Sequence, residues 1–554
     1  MAQRTIRGFP ATSNDAYPLN MITFLKHASR SYPETEVVSR NLDGALHRST
    51  YAEVERRVRR LAKALTKLGL APGDRVGALD WNTYRFMELY FAVSGIGAVL
   101  LELNPRISAA ERAYVINHSE ARFVAVAASL KPLIEPLAGE CPTVQGLILL
   151  DDLGKGVSES AFPTAYDYET LLAESDDDFE FPWIDETSAC TACYTSGTTG
   201  KPKGVYNSHR AMYLHTLIIA QALHMTQDDV IMQIVPMFHA QGWGMFFCGP
   251  MLGAKLVFPG RYTMEDPSPL VDLLVEQKVT VTCGAPAIFL PMLHHIKNLP
   301  TRPDLSGLRM ISGATEPPLA MMKGYDELGG AQVIHAYGAT ETAPLVTINH
   351  LKPSLRGLSE AEKWELRKKQ GLPVVGLDVT IMGPDGTSLP RDGKSVGEVL
   401  IRGPWITRRY HNDPRSAESF TEDGYWRSGD AGTLDPNGYL KITDRFKDLI
   451  KSGGEWISSI DLENVIMAHP DVLEAAVIGI PHPKWEERPL ALVVVKEAAK
   501  GRVTKEAVLD FIAPHFAKWQ LPDDVLFVEA IPKTSVGKFA KRVAREQYAA
   551  HYGA

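Results

Sequence analysis

Residues 194–204 read Tyr-Thr-Ser-Gly-Thr-Thr-Gly-Lys-Pro-Lys-Gly, a stretch with three glycines, three threonines, one serine and two lysines. Backbone N–H groups of a glycine-rich loop can point at one anion, hydroxyls add neutral donors, and lysines add charge. The stretch therefore predicts a loop that binds a polyphosphate. The apolar residues 192–194 predict the end of a strand, so that the loop lies at a strand's carboxyl end, and Pro202 ends regular structure after it.

The spacing within this loop differs from that of the common nucleotide-binding loop, which has four residues between its glycines followed by Lys-Ser or Lys-Thr. Here two threonines separate Gly197 from Gly200, and Lys201 is followed by a proline. A flexible surface turn is the alternative interpretation of the loop taken alone.

Six further blocks follow the loop along the chain: Ser312-Gly313-Ala314-Thr315-Glu316-Pro317, Tyr337-Gly338-Ala339-Thr340-Glu341, Tyr425-Trp426-Arg427-Ser428-Gly429-Asp430, Asp444-Arg445-Phe446-Lys447-Asp448, Lys451-Ser452-Gly453-Gly454-Glu455 and Pro532-Lys533-Thr534-Ser535-Val536-Gly537-Lys538. Together with the loop, and in this order, they resemble the AMP-forming acyl-CoA synthetases over nearly the whole chain. That superfamily also holds luciferases and the adenylation domains of nonribosomal peptide synthetases. Residues 451–459 and 516–522 look most like bacterial fatty-acyl-CoA and methylmercaptopropionyl-CoA ligases.

The resemblance implies a site for ATP. The residues implied to hold its β- and γ-phosphates are Thr195, Ser196, Gly197, Thr198, Thr199, Gly200 and Lys201. Tyr337 is implied to stack on adenine, opposite a wall of small residues that lets the backbone approach the base, formed by Gly313, Ala314 and Thr315. Thr340 is implied to donate to phosphate, and Glu341 to carry Mg²⁺ with the hydroxyl of Thr195 as partner, since Mg²⁺ needs few protein ligands.

The same resemblance implies that Asp430 accepts the ribose hydroxyls after an exposing Ser428-Gly429 turn, with Arg445 as a second ribose contact. An ordinary salt bridge is the alternative for each. Lys538 is the main catalytic candidate beside Thr340 and Glu341, because a compact, flexible ammonium suits a bridge between the substrate carboxylate and the α-phosphate.

The remaining blocks imply a moving C-terminal domain. Lys447 lies where the family has its hinge, and relatives also use this lysine near the adenylate. Gly453 and Gly454 would turn toward the active site for thioester formation, while Lys451 and Trp456 would touch the nucleotide.

The acid is expected near Pro236-Met237-Phe238-His239 and Gln241-Gly242-Trp243. The acyl-binding candidates are His239, Trp243 and Gly338. In fatty-acyl relatives a tryptophan at this place gates an acyl tunnel, but a static pocket wall or core packing also fits Trp243. We expect the small residues Gly242, Gly244 and Gly338 to leave room for an apolar tail, whose length they do not define.

Bulk composition places limits on the class of protein. At 554 residues the chain predicts two or more domains, and its net charge of −8 argues against a nucleic-acid partner held by phosphate contacts. Five cysteines suit a reducing compartment, and the pair Cys190 and Cys193 is interpreted as two small apolar residues beside a strand. The longest apolar stretch, residues 86–103, is interrupted by Glu88 and Glu102, so no membrane span is expected.

The N-terminus is polar and has no apolar targeting core, and a cytoplasmic protein is therefore the default expectation. The resemblance also implies a homodimer, although no feature of the sequence identifies an interface.

Alternating helical and strand-like patterns from residue 50 onward predict an α/β fold. We expect a large N-terminal domain, residues 1–443, made of two stacked αβ-sheet units plus a small antiparallel β region at 371–443. A hinge at 444–449 would lead to a small α+β C-terminal domain, residues 450–554, in which Ser459 caps a helix.

The sequence thus predicts an AMP-forming carboxylate–CoA ligase that uses ATP, Mg²⁺ and coenzyme A. A medium-chain fatty acid is the first expectation for its substrate, and short-chain, thioether-bearing and aryl acids stay open. Three other functions are alternatives: an adenylation enzyme that loads a carrier protein, a luciferase-like oxygenase, and a nucleotide-binding regulator without turnover.

Overall fold

The computed structural model describes residues 6–156, 159–195, 201–445, 448–452, 455–533 and 539–553. Several predicted site residues lie outside this described part of the chain, namely Ser196, Gly197, Thr198, Thr199, Gly200, Lys447, Gly453, Gly454 and Lys538.

The strands of the described chain are β1 Glu36–Arg40, β2 Leu46–Thr50, β3 Arg75–Leu79, β4 Val99–Glu102, β5 Ala121–Ala127, β6 Gly146–Leu150, β7 Ala165–Asp167, β8 Ala189–Thr195, β9 Lys203–Ser208, β10 Val230–Met232, β11 Lys255–Phe258, β12 Val281–Gly284, β13 Arg309–Ser312, β14 Gln332–Gly338, β15 Leu345–Ile348, β16 Leu372–Pro373, β17 Asp378–Met382, β18 Gly397–Arg402, β19 Trp426–Leu434, β20 Leu440–Arg445, β21 Ile450–Ser452, β22 Glu455–Ile457, β23 Val472–His482, β24 Glu486–Val495 and β25 Asp524–Phe527. The α-helices are α1 Ile22–Ser31, α2 Tyr51–Lys67, α3 Tyr84–Gly95, α4 Ala109–Ser119, α5 Tyr168–Ala173, α6 His209–Ala222, α7 Met245–Leu252, α8 Ser268–Glu276, α9 Pro286–Lys297, α10 Leu319–Gly329, α11 Glu360–Lys368, α12 Ser459–Met467, α13 Lys505–Ile512 and α14 Lys541–Tyr548.

Two large sheets form the N-terminal part. One has seven strands in the order β7-β6-β5-β3-β4-β8-β9, and the other has nine in the order β16-β15-β14-β13-β12-β10-β11-β1-β2. Most neighbours in both are parallel, which follows from the helical crossovers between them. The largest core cluster draws apolar residues from both sheets and from the helices between them. The prediction of two stacked αβ units is therefore confirmed.

Aromatic packing between helices joins the two units. Tyr90 and Phe91 of α3 lie with ring centroids 4.9 and 5.9 Å from Phe246 and Phe247 of α7, respectively. Helix α2 begins at a capping box, in which Thr50 and Glu53 exchange side-chain and backbone hydrogen bonds. Val54, Val58, Leu61 and Leu65, which recur near helical spacing in the sequence, are buried, so the packing agrees with the helical pattern.

Two smaller sheets complete the fold, one antiparallel and one mixed, because β25 runs parallel to β24. The four-stranded sheet runs β17-β18-β19-β20, and the five-stranded sheet runs β22-β21-β24-β23, with β25 added beside β24. The small C-terminal part is thus α+β, as expected. The chain passes from the four-stranded sheet to the five-stranded sheet between Arg445, the end of β20, and Ile450, the start of β21. None of the described helices is long and apolar enough to cross a membrane.

Two local predictions are wrong. Ser458, not Ser459, caps α12, because the Ser458 hydroxyl accepts the Asp461 N–H, whereas Ser459 donates to Asp444. Ser428-Gly429 is not an exposing turn but part of β19, and Asp430 is buried with 7% exposure. Gly429 has φ +69°, a conformation that glycine adopts easily. The glycine therefore permits a local irregularity within strand β19 and does not mark a turn.

Candidate active site

The predicted site residues gather where several strands end. Strand β8 ends at Thr195, β13 ends just before Gly313, and β14 ends at Tyr337 and Gly338. Thr195 pairs with Lys203 of β9, so the polyphosphate loop connects these two strands, and the strand predicted before it is confirmed. Carboxyl ends of parallel strands are the usual place for ligands in α/β folds.

One cluster joins three of the predicted nucleotide contacts. The Tyr337 hydroxyl donates to Asp430 Oδ2 at 2.5 Å, and Arg445 Nε lies 2.9 Å from Asp430 Oδ1. Asp430 and Arg445 face each other across strands β19 and β20, so the backbone register fixes the pair. Residues more than a hundred positions apart in the sequence thus form one connected group with a carboxylate at its centre.

Thr340 and Glu341 form a short helical turn directly after β14, and both are buried with 8% and 9% exposure. Glu341 is held at two points, since Thr407 N–H donates to its carbonyl at 2.9 Å and the Tyr410 hydroxyl donates to Oε1 at 2.7 Å. Trp426 Nε1 in turn donates to the Tyr410 hydroxyl at 3.2 Å. The Glu341 carboxylate is therefore fixed in place by a chain of buried donors.

Two cations, Lys203 and Arg445, act on the Glu341 carboxylate. The Lys203 ammonium lies 4.4 Å from the centre of the Tyr410 ring. Burial raises the pKa of Glu341, while the hydrogen bond from Tyr410 and the charges of Arg445 and Lys203 oppose that rise. The buried Glu341 carboxylate is thus partly balanced by the charges of Lys203 on β9 and Arg445 on β20.

Sequence reasoning assigned no role to Tyr410, Trp426 or Lys203 individually. Lys203 lies in the loop 194–204 and Trp426 in the block 425–430, so the sequence motifs already placed both residues near the site. Tyr410 belongs to no motif. Its sequence context is a weaker indication of a role: it is an aromatic residue in the polar segment 407–413, which has neither helical nor strand periodicity.

The tryptophan predicted for the acid site lies in an unusual turn. Residues 240–244 all have positive φ, with values of 45° for Ala240, 53° for Gln241 and 61° for Trp243 among the non-glycine residues. The left-handed conformation costs an L-residue roughly 1–2 kcal/mol. A Cβ on Gly313 would lie 3.0 Å from the tip of the Trp243 indole, so this side chain packs on the loop after β13.

The expectation that three glycines leave room for an acyl tail is wrong. A Cβ on Gly338 would lie 1.4 Å from the Pro344 carbonyl oxygen, so this glycine is required by a close approach of two backbone segments. Added Cβ atoms on Gly242 and Gly244 would meet the side chains of Gln233 and His215 at 2.7 and 3.0 Å. Protein atoms fill the space beside all three.

Other predicted residues have partners of their own. The Lys201 ammonium lies 5.1 Å from the centre of the Tyr114 ring, and Lys451 pairs with Glu486 at 3.1 Å. Gly313 is buried, whereas Ala314 and Thr315 are exposed on the same loop, and His239 lies beside the left-handed turn. Trp456 lies in β22 of the five-stranded sheet.

The C-terminal part contacts this site through Glu316, which follows the Gly313 loop. Its Oε1 accepts a hydrogen bond from Asn464 Nδ2 of α12 at 3.1 Å. Burial, with the charge of Asp461, raises the pKa of Glu316 to about 7. Glu365 adds to this rise, and the charges of Lys441 and Lys368 oppose it.

Comparison with known proteins agrees with this arrangement. The model of the family described as AMP-binding enzyme matches residues 25–411, and that of the AMP-binding enzyme C-terminal domain matches residues 461–538. An ATP-bound MatB structure from Rhodopseudomonas palustris has TM-score 0.82 at 26% identity, covering 97% of this chain and 100% of that one. The anthranilate CoA ligase AuaEII with anthranoyl-AMP shares the fold, with TM-score 0.83 at 23% identity over 97% and 99% of the two chains.

The chain therefore belongs to the AMP-binding enzyme family, and within it to the AMP-forming acyl-CoA synthetases. It is 43% identical to a long-chain-fatty-acid–CoA ligase of Thermus thermophilus, with 100% of both chains covered. It is also 40% identical to a 3-methylmercaptopropionyl-CoA ligase of Ruegeria lacuscaerulensis, covering 96% and 97% of the chains. A medium-chain-fatty-acid–CoA ligase of Ectopseudomonas oleovorans is 39% identical, with 95% of each chain covered.

Proposed function

We propose that the protein activates a carboxylic acid with ATP to give an acyl-adenylate and pyrophosphate, and then transfers the acyl group to coenzyme A with release of AMP. The observation that carries this proposal is the connected group of Tyr337, Asp430 and Arg445 beside Thr340 and Glu341, at the strand ends of a chain from this family.

The first step requires no nucleophile from the protein. A carboxylate oxygen of the substrate attacks the α-phosphorus, and the bond to the pyrophosphate oxygen breaks. Because two anions must meet, catalysis depends on positioning and on neutralising charge. In this proposal Asp430 and Arg445 contact the ribose, residues 195–201 contact the phosphates, and the ammonium of Lys538 bridges the carboxylate and the α-phosphate.

Residues present in the site fit a magnesium ion. Among the described residues there is no group of three or more His, Cys, Asp or Glu side chains that could hold a metal. A single fixed carboxylate, that of Glu341, with the Thr195 hydroxyl is the donor set of an ion that takes its other ligands from phosphate and water. When bound, Mg²⁺ would neutralise charge on the phosphates.

A medium-chain fatty acid is our first proposal for the substrate. The names of the relatives support an aliphatic acid, since they include ligases for long-chain, medium-chain and thioether acids. Short-chain and aryl acids stay as alternatives. We also propose that the chain forms a homodimer.

For the second step we propose that residues 450–554 rotate against residues 1–443 about a hinge at 444–449. Rotation about Lys447 would replace the Lys538 loop by the loop of Gly453 and Gly454 beside the adenylate. The change of sheet membership between Arg445 and Ile450 supports this position for the hinge.

Exchange of labelled pyrophosphate into ATP, measured over a panel of acids with Mg²⁺, tests the proposal directly. We expect acid-dependent exchange, and thioester formation when free coenzyme A is added. Exchange without thioester formation would favour a carrier-protein loading enzyme, and no exchange with any acid would refute adenylate formation.

A further inference from the structure

A buried acid lies beneath the left-handed turn that carries Trp243, and the proposed mechanism does not use it. Glu102 ends the apolar strand β4 and has 3% exposure. Among the described residues no lysine, arginine or histidine is recorded in an ion pair with it, unlike Glu88, which pairs with Arg57 at 2.6 Å. An acid buried without a cation is costly, so a functional reason for Glu102 is expected.

The contacts of Glu102 point to the turn. Its Oε1 accepts the backbone N–H of Gln241 at 2.8 Å and the hydroxyl of Tyr90 at 3.0 Å. One residue earlier, the Ala240 N–H donates to Cys193 Sγ at 3.3 Å. Side chains from the ends of β4 and β8 thus accept two successive N–H groups of the left-handed run.

The middle of the run is held as well. The Gly242 carbonyl accepts from Gln233 Nε2 at 2.8 Å. Trp243 follows directly after these anchored residues; its side chain is partly buried and packs on Gly313 next to the adenine-wall residues. Strained backbone persists where surrounding groups over-determine it, and such strain is concentrated at functional sites.

We propose that Glu102 is a positioning residue for the acid: its carboxyl fixes the left-handed turn, and the turn places the Trp243 indole where the acyl chain must pack. This inference rests on the proposed acid activation and deepens it, because it assigns part of the specificity for the acid to a residue that does not contact the substrate itself. The pKa of Glu102, raised to about 8 by burial, agrees with a carboxyl that is retained for its hydrogen bonds rather than for its charge.

A double-mutant cycle on Glu102 and Trp243 tests this proposal. The variants are Glu102→Met, which keeps the shape but removes the acceptor, Trp243→Ala, and both together. For each we measure kcat/KM for butanoate, octanoate and palmitate by pyrophosphate release, and KM for ATP. Glu102→Met leaves the buried Gln241 N–H without an acceptor, which costs about 1–3 kcal/mol, so we expect the preferred acid to lose about tenfold or more in kcat/KM while KM for ATP changes less than about twofold.

In the Trp243→Ala background the same Glu102→Met change should alter the acid preference by less than about twofold, because the side chain that it positions is gone. Glu102→Gln retains an acceptor and should restore the wild-type preference. Tyr90→Phe is the control, because it removes the hydroxyl that lies 3.0 Å from the same Glu102 oxygen and 2.7 Å from the Met237 carbonyl, and leaves the Gln241 contact intact.

Equal effects of Glu102→Met in both backgrounds, or an unchanged preference in the single variant, would overturn the inference. If Glu102→Met does not fold, as judged by thermal unfolding, Glu102→Asp takes its place in the cycle, since it keeps the acid but shortens its reach. Absence of acid-dependent pyrophosphate release in the wild type would instead refute the proposed function, and the inference would fall with it.

Discussion

Replacing Tyr410 by phenylalanine removes one hydroxyl from the buried chain that holds Glu341. The phenol donates to Glu341 Oε1 at 2.7 Å and accepts from Trp426 Nε1 at 3.2 Å. A hydrogen bond to a charged group contributes about 1.5–3 kcal/mol, and the unpaired indole N–H adds a further cost. If Glu341 holds Mg²⁺, the variant should require roughly 10- to 150-fold more Mg²⁺ for half-maximal effect.

The assay is a Mg²⁺ titration of pyrophosphate exchange at saturating ATP and acid, paired with calorimetric binding of Mg·ATP to the protein without acid. Tyr425→Phe is the matched control, since its hydroxyl donates to Asp378 at 2.5 Å, outside the group around Glu341. The control should keep the Mg²⁺ requirement of the wild type. A Tyr410→Phe enzyme with the same requirement as the control would refute the role given to this hydrogen-bonded chain.

Four further outcomes are expected. Lys538→Ala should abolish adenylation but spare thioester formation from supplied acyl-AMP, and equal loss of both would contradict that division of roles. Asp430→Asn should weaken ATP binding, measured calorimetrically, by about 10- to 100-fold, since it removes the charged partner of the ribose and of its arginine. Gly338→Ala should lower the free energy of unfolding by about 3 kcal/mol, measured by denaturant, because its Cβ meets a carbonyl oxygen. Burial raises the pKa of Glu316 to about 7, and its carboxyl accepts a hydrogen bond from Asn464 of the C-terminal part. If release of that part hydrates the carboxyl and returns its pKa to the ordinary value near 4.5, docking takes up a proton and should weaken as pH rises between these values; Glu316→Gln should abolish this dependence in a fluorescence-transfer measurement between the two parts.

Most of the fold could be predicted because its elements have strong local patterns. The apolar repeat of α2, with a capping box at its start, and the short β-prone runs that became β3, β5 and β13 each specify their element without help from distant residues. Prediction failed where a tertiary contact decided the outcome. Ser459 has the right residue type for a cap, but Asp444 takes its hydroxyl and its N–H, so the preceding serine caps the helix.

In the candidate site, too, features set by local sequence could be predicted and features set by tertiary contacts could not. The residues of the linear blocks could be named, because each block carries its own pattern of glycine, hydroxyl and charge. The Tyr410 contact to Glu341 and the Glu102 contact to Gln241 span 69 and 139 residues, and no local pattern records them. A glycine in the sequence does not show whether the space beside it is left for a ligand or filled by other protein atoms, and at Gly338 a carbonyl oxygen fills it.

Contacts at the proposed hinge place a constraint on how the C-terminal part can move. The backbone of Asp444 belongs to β20, where it pairs with Ala431, but its buried side chain accepts from Ser459 at the start of α12. Lys541 of α14 donates to the same Ser459 hydroxyl and pairs with Glu463 at 2.7 Å. Any rotation about residues after Asp444 must therefore break the Asp444 contact while Lys541 and Glu463 stay together. In the proposed rotation the Asp444 carboxylate would pass from a buried to a hydrated state, and this gain in hydration would offset part of the lost hydrogen bonds, which would reduce the free-energy difference between the two arrangements.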